Sequence, residues 1–156
     1  MRELDDDGTR AVVAIQRLQG AYADAVTRRD WPAVRGQFEP DAVVHIDTRT
    51  REPFVLEGPD ALVDFIDRAI RPFAFFEFTI LNSTVEVDGD QASGRLYICE
   101  LRTDAEGTWS EAYGLYRDTY TRRDGAWRIA ARRYASLARR GRSGTEVFTL
   151  PTDGAT

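Results

Sequence analysis

A change of periodicity near residue 73 constrains this chain more than any other feature: helix-spaced apolar residues lie before it and long β runs after it. Val12, Ile15, Leu18 or Gln19, Tyr22 and Val26 recur at helical spacing, which predicts an amphipathic helix over 9–28 capped by Thr9. Asp30 ahead of Trp31 and Pro32 predicts a short second helix that carries Val34 and Phe38 and that Pro40 helps to end. Residues 42–48 read as a strand and 54–57 as a second one. Leu62, Phe65, Ile66, Ala69 and Ile70 mark the buried side of a third helix that stops before Pro72. The β runs then cover about 74–87, 91–103, 108–122 and 127–138, joined at Asp88-Gly89-Asp90, Asp104 to Gly107 and Asp124-Gly125.

Helices first and a meander afterwards imply a cone-shaped α+β domain, a curved antiparallel sheet wrapped around three N-terminal helices with a single central pocket at its open end. The expected organisation is a flexible 1–8, one domain over 9–138, and a tail over 139–156 with a short strand at 146–150. A length of 156 residues fits one core, and 42% apolar with 30% charged residues suits a chain that folds alone. The acidic start lacks the basic and apolar regions of a signal peptide. No apolar run approaches the ~18 residues of a membrane span, so a cytoplasmic protein without a membrane partner is expected. One cysteine, Cys99, and one histidine, His45, imply neither a disulfide nor a zinc site. Net charge is −5, yet Arg122, Arg123, Arg128, Arg132, Arg133, Arg139, Arg140 and Arg142 crowd the last third. They spread over strands and a tail with no nucleic-acid motif, which reads as a salt-bridged sheet face and not a nucleic-acid site.

Three stretches, AIQRLQGAYADAVTRRDWPAVRGQFEPDAVVHID, NSTVEVDGDQASGRLYI and YRDTYTRRDGAWRIAARR, together resemble the SnoaL-like branch of the nuclear-transport-factor-2-like superfamily over residues 11–138. The resemblance implies the fold. The superfamily's functions range over dehydratases, dehydrochlorinases, ketosteroid isomerases, polyketide cyclases, epoxide hydrolases and binding modules. In its dehydratase-like members a histidine assisted by a first-helix aspartate serves as base; those positions fall on Phe78 and Thr27 here. An arginine placed after the hairpin tryptophan in the dehydrochlorinase falls on Arg132, and the catalytic tyrosine of ketosteroid isomerases falls on Tyr22. The strand aspartate of the isomerases falls on Ile46. The resemblance also implies that Val44, Ile46, Leu96 and Ile98 line the pocket.

If Val44 and Ile46 face inward, alternation sends His45 to the outer face; a general base beside Asp47 and a structural or interface histidine are its two readings. Glu100 shares the face of Leu96 and Ile98, where burial would tune it for acid or base work, or where it pairs with Arg102 or Arg132. Ala112, Gly114, Tyr116 and Asp118 share a face of the next run, with Gly114 leaving room for a ligand. A three-residue loop at Asp124-Gly125-Ala126 sets Arg132 opposite Asp118, whereas a two-residue loop offers Arg133. Arg132 either stabilises developing negative charge or satisfies Asp118; Tyr22 and Tyr116 either donate to a ligand oxygen or pack as aromatics. Phe73, Phe75 and Glu77 form one row, and Phe76, Phe78 and Ile80 another, read as core, dimer interface or ligand wall.

Three function classes follow. One is a cofactor-independent lyase, isomerase or cyclase for a small hydrophobic, ring-bearing molecule, with Glu100, Arg132, Tyr22, Tyr116, Asp118 and His45 as candidate site residues and Phe78 among the pocket walls. Another is a non-catalytic binding or protein-interaction domain that has lost the aspartate and histidine. The third is an accessory subunit of a larger assembly that uses the outer sheet face with His45, Tyr97 and Trp127. A homo-oligomer, most simply a dimer, is expected.

Overall fold

The structure is a computed structural model that describes residues 3–152. Helix α1 spans Asp6–Arg28, α2 Trp31–Gly36 and α3 Gly58–Ile70. The strands are β1 Phe38–Asp47, β2 Phe54–Glu57, β3 Phe73–Asp88, β4 Gln91–Asp104, β5 Trp109–Arg123, β6 Ala126–Gly141 and β7 Gly144–Val147.

The first helix starts earlier than its apolar stripe suggests. Asp5, not Thr9, is the cap: its carboxylate accepts from the Gly8 N–H at 2.8 Å, with Asp6 and Asp7 in the first turn where the helix dipole favours negative charge. The expected flexible start thus belongs to α1 from Asp6 onward, while residues 1–2 lie outside the described residues. Asp30 caps α2 through the Ala33 N–H at 3.2 Å, but α2 ends at Gly36. Phe38 therefore opens β1 and does not close the helix; the Gln37 carbonyl already accepts the Ile129 N–H of β6 at 2.9 Å. Pro40 sits inside β1 between Phe38 and Val43, where the ladder to β6 is interrupted and a missing N–H costs nothing.

The strands form one sheet in the order β2-β1-β6-β5-β4-β3, with β7 beside the end of β6. The β1–β6 ladder is parallel and the others antiparallel, so the sheet is mixed where a purely antiparallel one was expected. β7 falls at Gly144–Val147, ahead of the strand expected at 146–150. Helix α1 packs on β3 and α3 on β1. Ile15, Tyr22 and Val26 of α1 and Leu62, Val63 and Ile70 of α3 meet Val44, Leu96, Ile98 and Ile129 of the sheet in one core.

Two bulges in β6 set which side chains face that core. The last hairpin has a two-residue turn, Asp124 and Gly125 with φ of 51° and 76°, flanked by the pair Arg123 and Ala126. Continued without interruption, that register would align β6 one residue differently with β5. Instead Ile129 pairs Tyr120 and Ala131 pairs Thr119, leaving Ala130 as an extra residue, and Asp118 comes to face Arg132. The three-residue loop expected at this turn is absent, yet the bulge restores the arginine it was invoked to place. A second bulge leaves Leu137 extra, with Gly114 opposite Ser136 and Ala112 opposite Arg139.

Candidate functional site

A cavity of about 160 Å³ opens between α3 and the concave face of the sheet. Its apolar side comes from Leu62, Phe65, Ile66, Ala69 and Ile70 on α3, with Val44 and Ile46 on β1 and Phe73 at the start of β3. Its polar side comes from Tyr22, Glu100, Arg102, Tyr116, Arg132, Tyr134 and Arg139. A cavity on the order of 150 Å³ holds a benzene-sized molecule, so the enclosed part suits one ring.

Arg132 and Asp118 form the floor. Arg132 Nε and Nη2 donate to the two carboxylate oxygens of Asp118 at 2.8 and 2.7 Å, and the side chains are 1% and 0% exposed. The guanidinium carbon lies 4.4 Å from the ring centre of Tyr22 and 3.9 Å from that of Tyr116. Burial opposes the arginine's charge, but the Asp118 carboxylate and its hydrogen bonds prevail and raise its pKa further. Tyr120 donates to Asp118 Oδ2 at 3.1 Å and accepts from Gln19 Nε2 at 2.9 Å, and Gln19 Oε1 accepts from Ser83 at 2.6 Å. This buried chain ties α1, β3 and β5 to the floor. Arg132 therefore both lines the cavity and satisfies Asp118, and Asp118 itself stands behind the arginine.

Three tyrosines occupy the middle. Tyr22 meets Phe78 and Tyr116 edge-on at 5.4 and 6.1 Å, and Tyr116 meets Tyr134 at 5.4 Å. Burial raises the pKa of Tyr22 and lifts that of Tyr116 well above the ordinary phenol range, while the Arg132 charge opposes both shifts. Burial likewise pushes Tyr134 up to about 12. All three phenols stay protonated near neutrality.

Glu100 stands nearer the mouth, its side chain 22% exposed, with Arg102 Nη1 3.6 Å from its carboxylate. Burial raises its pKa, opposed by the charges of Arg102 and Arg139. Six residues along β4 separate Glu100 from Gly94, which pairs with Asp118 on β5. That is roughly 20 Å of backbone at ~3.3 Å per residue; the side chains reach inward from both positions, and the charges of Glu100 and Arg132 both act on Tyr22 and Tyr116.

Other expected residues lie elsewhere. His45 is on the outer face, in a groove with Arg117 and Arg133, away from the cavity; burial and Arg133 both lower its pKa. In that face Arg95, Arg117, Arg133 and His45 stand opposite one another in successive strands. Of the expected walls, Val44, Ile46 and Ala112 line the cavity, whereas Phe78, Leu96 and Ile98 are packed in the core behind it. Gly114 leaves room, but for Tyr134 and not a ligand: a Cβ there would sit 2.3 Å from Tyr134 Cε2. A register shift between Phe73 and Phe75 breaks the expected row, sending Phe73 to the cavity and Phe75 outward onto Trp109 at 5.9 Å. The positions matched to the family's aspartate and histidine do meet, since Thr27 Oγ accepts the Phe78 N–H at 3.0 Å, but neither can act as a base.

Tyr134, Arg102, Arg139 and the α3 wall line the cavity without having been among the expected site residues. Tyr134 alternates with Arg132, a usable signal. Arg139 had none, because the bulge at Leu137 changes the phase of the strand. Among the described residues, no cluster of three His, Cys, Asp or Glu is placed to hold a metal ion. No helix there is long and apolar enough to cross a membrane.

The cone architecture recurs in solved structures. A Mycobacterium tuberculosis protein described as of unknown function is 28% identical, with TM-score 0.73, covering 84% of this chain and 74% of that one. A provisionally named scytalone dehydratase from Novosphingobium aromaticivorans is 18% identical, with TM-score 0.76 and coverage of 96% and 95%. The type-3 hexachlorocyclohexane dehydrochlorinase LinA from Novosphingobium barchaimii is 20% identical, with TM-score 0.73 and coverage of 92% and 97%. Among curated proteins the sequence finds no significant match. The SnoaL-like domain profile matches residues 8–133, most of the chain and the whole of the cavity's sheet face up to Arg132. By that match the chain belongs to the SnoaL-like domain family.

Proposed function

We propose that this protein is a cofactor-independent lyase, isomerase or cyclase that moves protons on a small hydrophobic, ring-bearing molecule held in the cavity. The observation that carries the reading is a mostly buried carboxyl of raised pKa, Glu100, opening onto the same enclosed volume as three protonated tyrosines. Glu100 serves as general base or acid. Tyr116 and Tyr22 donate hydrogen bonds to a substrate oxygen, and the Arg132 charge on their ring faces eases the build-up of negative charge on that oxygen. Asp118 positions Arg132, and His45, on the other face, takes no part. Solved structures named as a dehydrochlorinase and a provisional dehydratase share the architecture and accord with this class of reaction. The expected homodimer, cytoplasmic location and lack of a nucleic-acid partner remain part of the proposal; sedimentation equilibrium checks the first.

A second reading, a binding domain without chemistry, is favoured by Thr27 and Phe78 standing where the family keeps its base. Thermal-shift screening of single-ring compounds, followed by mass spectrometry of each binder after incubation, separates the two. The catalytic reading expects product from at least one binder and its loss in Glu100→Gln with binding retained. Saturable binding with no product from any binder supports the second reading. Product formed equally well by Glu100→Gln rejects the role given to that carboxyl.

A further inference from the structure

The charges around the cavity do not balance. Arg132 and Asp118 cancel as a buried pair, which leaves Glu100 alone against Arg102 and Arg139. Arg102 donates to Ser110 Oγ at 3.2 Å and has only the 3.6 Å approach to Glu100 as an ion pair. Arg139 has no carboxylate within ion-pair distance among the described residues. Its Nη2 donates to the Thr48 carbonyl at 3.3 Å, and its buried Nε, like Nη1 of the Asp118-paired Arg132, has no partner. Glu146 stands opposite Arg139 in the β6–β7 ladder, but it is exposed and makes no ion pair there. A guanidinium with an idle buried N–H is costly unless something else accepts from it.

The strand register makes a seat for that acceptor. Glu100 and Arg139 both pair with Ala112, from either side, two strand spacings apart or roughly 10 Å at ~4.8 Å each, and Arg102, two residues beyond Glu100 on β4, lines the same cavity mouth across from Arg139. The adjoining groove shares Thr48, Phe65, Ala69 and Arg139 with the cavity and adds Arg51 and Arg68, which extends the positive rim outward.

Given that the cavity is the ligand site, as proposed above, we infer that its ligand is a single-ring carboxylic acid whose carboxylate docks between Arg102 and Arg139 while the ring enters the apolar volume under α3. One negative charge is what the mouth lacks, and a planar carboxylate matches the fork geometry of guanidinium. The enclosed volume has room for one ring beyond it.

Calorimetric titration of the whole chain with benzoate, with the isosteric neutral benzamide and with toluene tests this. Benzoate is expected to bind about tenfold more tightly than benzamide, the scale of one charge-assisted contact. Arg102→Met and Arg139→Met should each bring benzoate to within about twofold of benzamide in the same variant. Arg139→Lys should retain part of the preference, and Arg140→Met, exposed and facing Glu111, should retain all of it. Thermal unfolding of each variant checks that it folds. Equal binding of benzamide and benzoate, or a preference that survives both methionine variants, overturns the inference. Toluene binding without a benzoate preference overturns it while leaving the cavity as the ligand site; failure of all three probes removes both.

Discussion

Asp118→Asn is the sharpest perturbation of the cavity floor. The substitution keeps shape and volume but leaves Arg132 as an uncompensated charge that is 1% exposed, with an amide facing its N–H edge. Removing one partner of a buried ion pair costs about 3–5 kcal/mol. The ring faces of Tyr22 and Tyr116, 4.4 and 3.9 Å from the guanidinium carbon, remain in the variant and hold the loss to the lower half, about 3–4 kcal/mol. For a chain of this size ~1 kcal/mol shifts Tm by about 2–4 °C, so Tm should fall by roughly 6–16 °C. Circular dichroism melts and urea titrations measure it. The double variant Asp118→Leu with Arg132→Met removes both charges and substitutes apolar volume, so it should be more stable than Asp118→Asn alone. Asp118→Asn within about 1 kcal/mol of the parent, or a double variant as unstable as the sum of its parts, would refute the account of the floor.

Gly114→Ala places a Cβ 2.3 Å from Tyr134 Cε2, forcing the ring to move by more than about 1 Å to reach ordinary contact. It should cost about 1–3 kcal/mol, partly recovered by adding Tyr134→Leu; an unchanged urea midpoint would count against this packing. Tyr120→Phe strands the buried Gln19 donor and one Asp118 acceptor position, with an expected loss of about 1–3 kcal/mol read from the same titration. Glu100 carries the opposite sign from an ordinary ion-paired carboxylate. Its folded pKa is raised, so the stability it contributes is fully present below the unfolded value of ~4.3 and is lost as pH rises through the folded pKa. Glu100→Gln should therefore flatten the decline of stability over that window, and a stability–pH curve parallel to the parent's would contradict the shift.

The elements of this fold were legible because each is signalled locally: Asp30 with Pro32 opens α2, and Asp124-Gly125 turns the last hairpin. Legible too was the face of Glu100, since β4 and β5 keep one register along their whole length. Bulges hid the rest. Alternation from Trp127 and Ile129, both in the core, points to Arg133, and only the extra Ala130 brings Arg132 inward. Leu137 does the same for Arg139, which the sequence placed in a tail. Gly114 marked a place that needs room, but the chain gives no local sign that Tyr134, twenty residues later, fills it. Gln19 was an ambiguous member of the first helical stripe because its partner Tyr120 is 101 residues away.

The proton-transfer role of Glu100 is the claim on which the proposed chemistry stands. Carbon NMR titration of the carboxyl groups, with the Glu100 signal assigned from Glu100→Gln, tests it directly. This signal should titrate above the usual carboxylate range and move when a ring-bearing ligand fills the cavity. An ordinary midpoint near ~4.3, unmoved by a ligand that demonstrably binds, would contradict it.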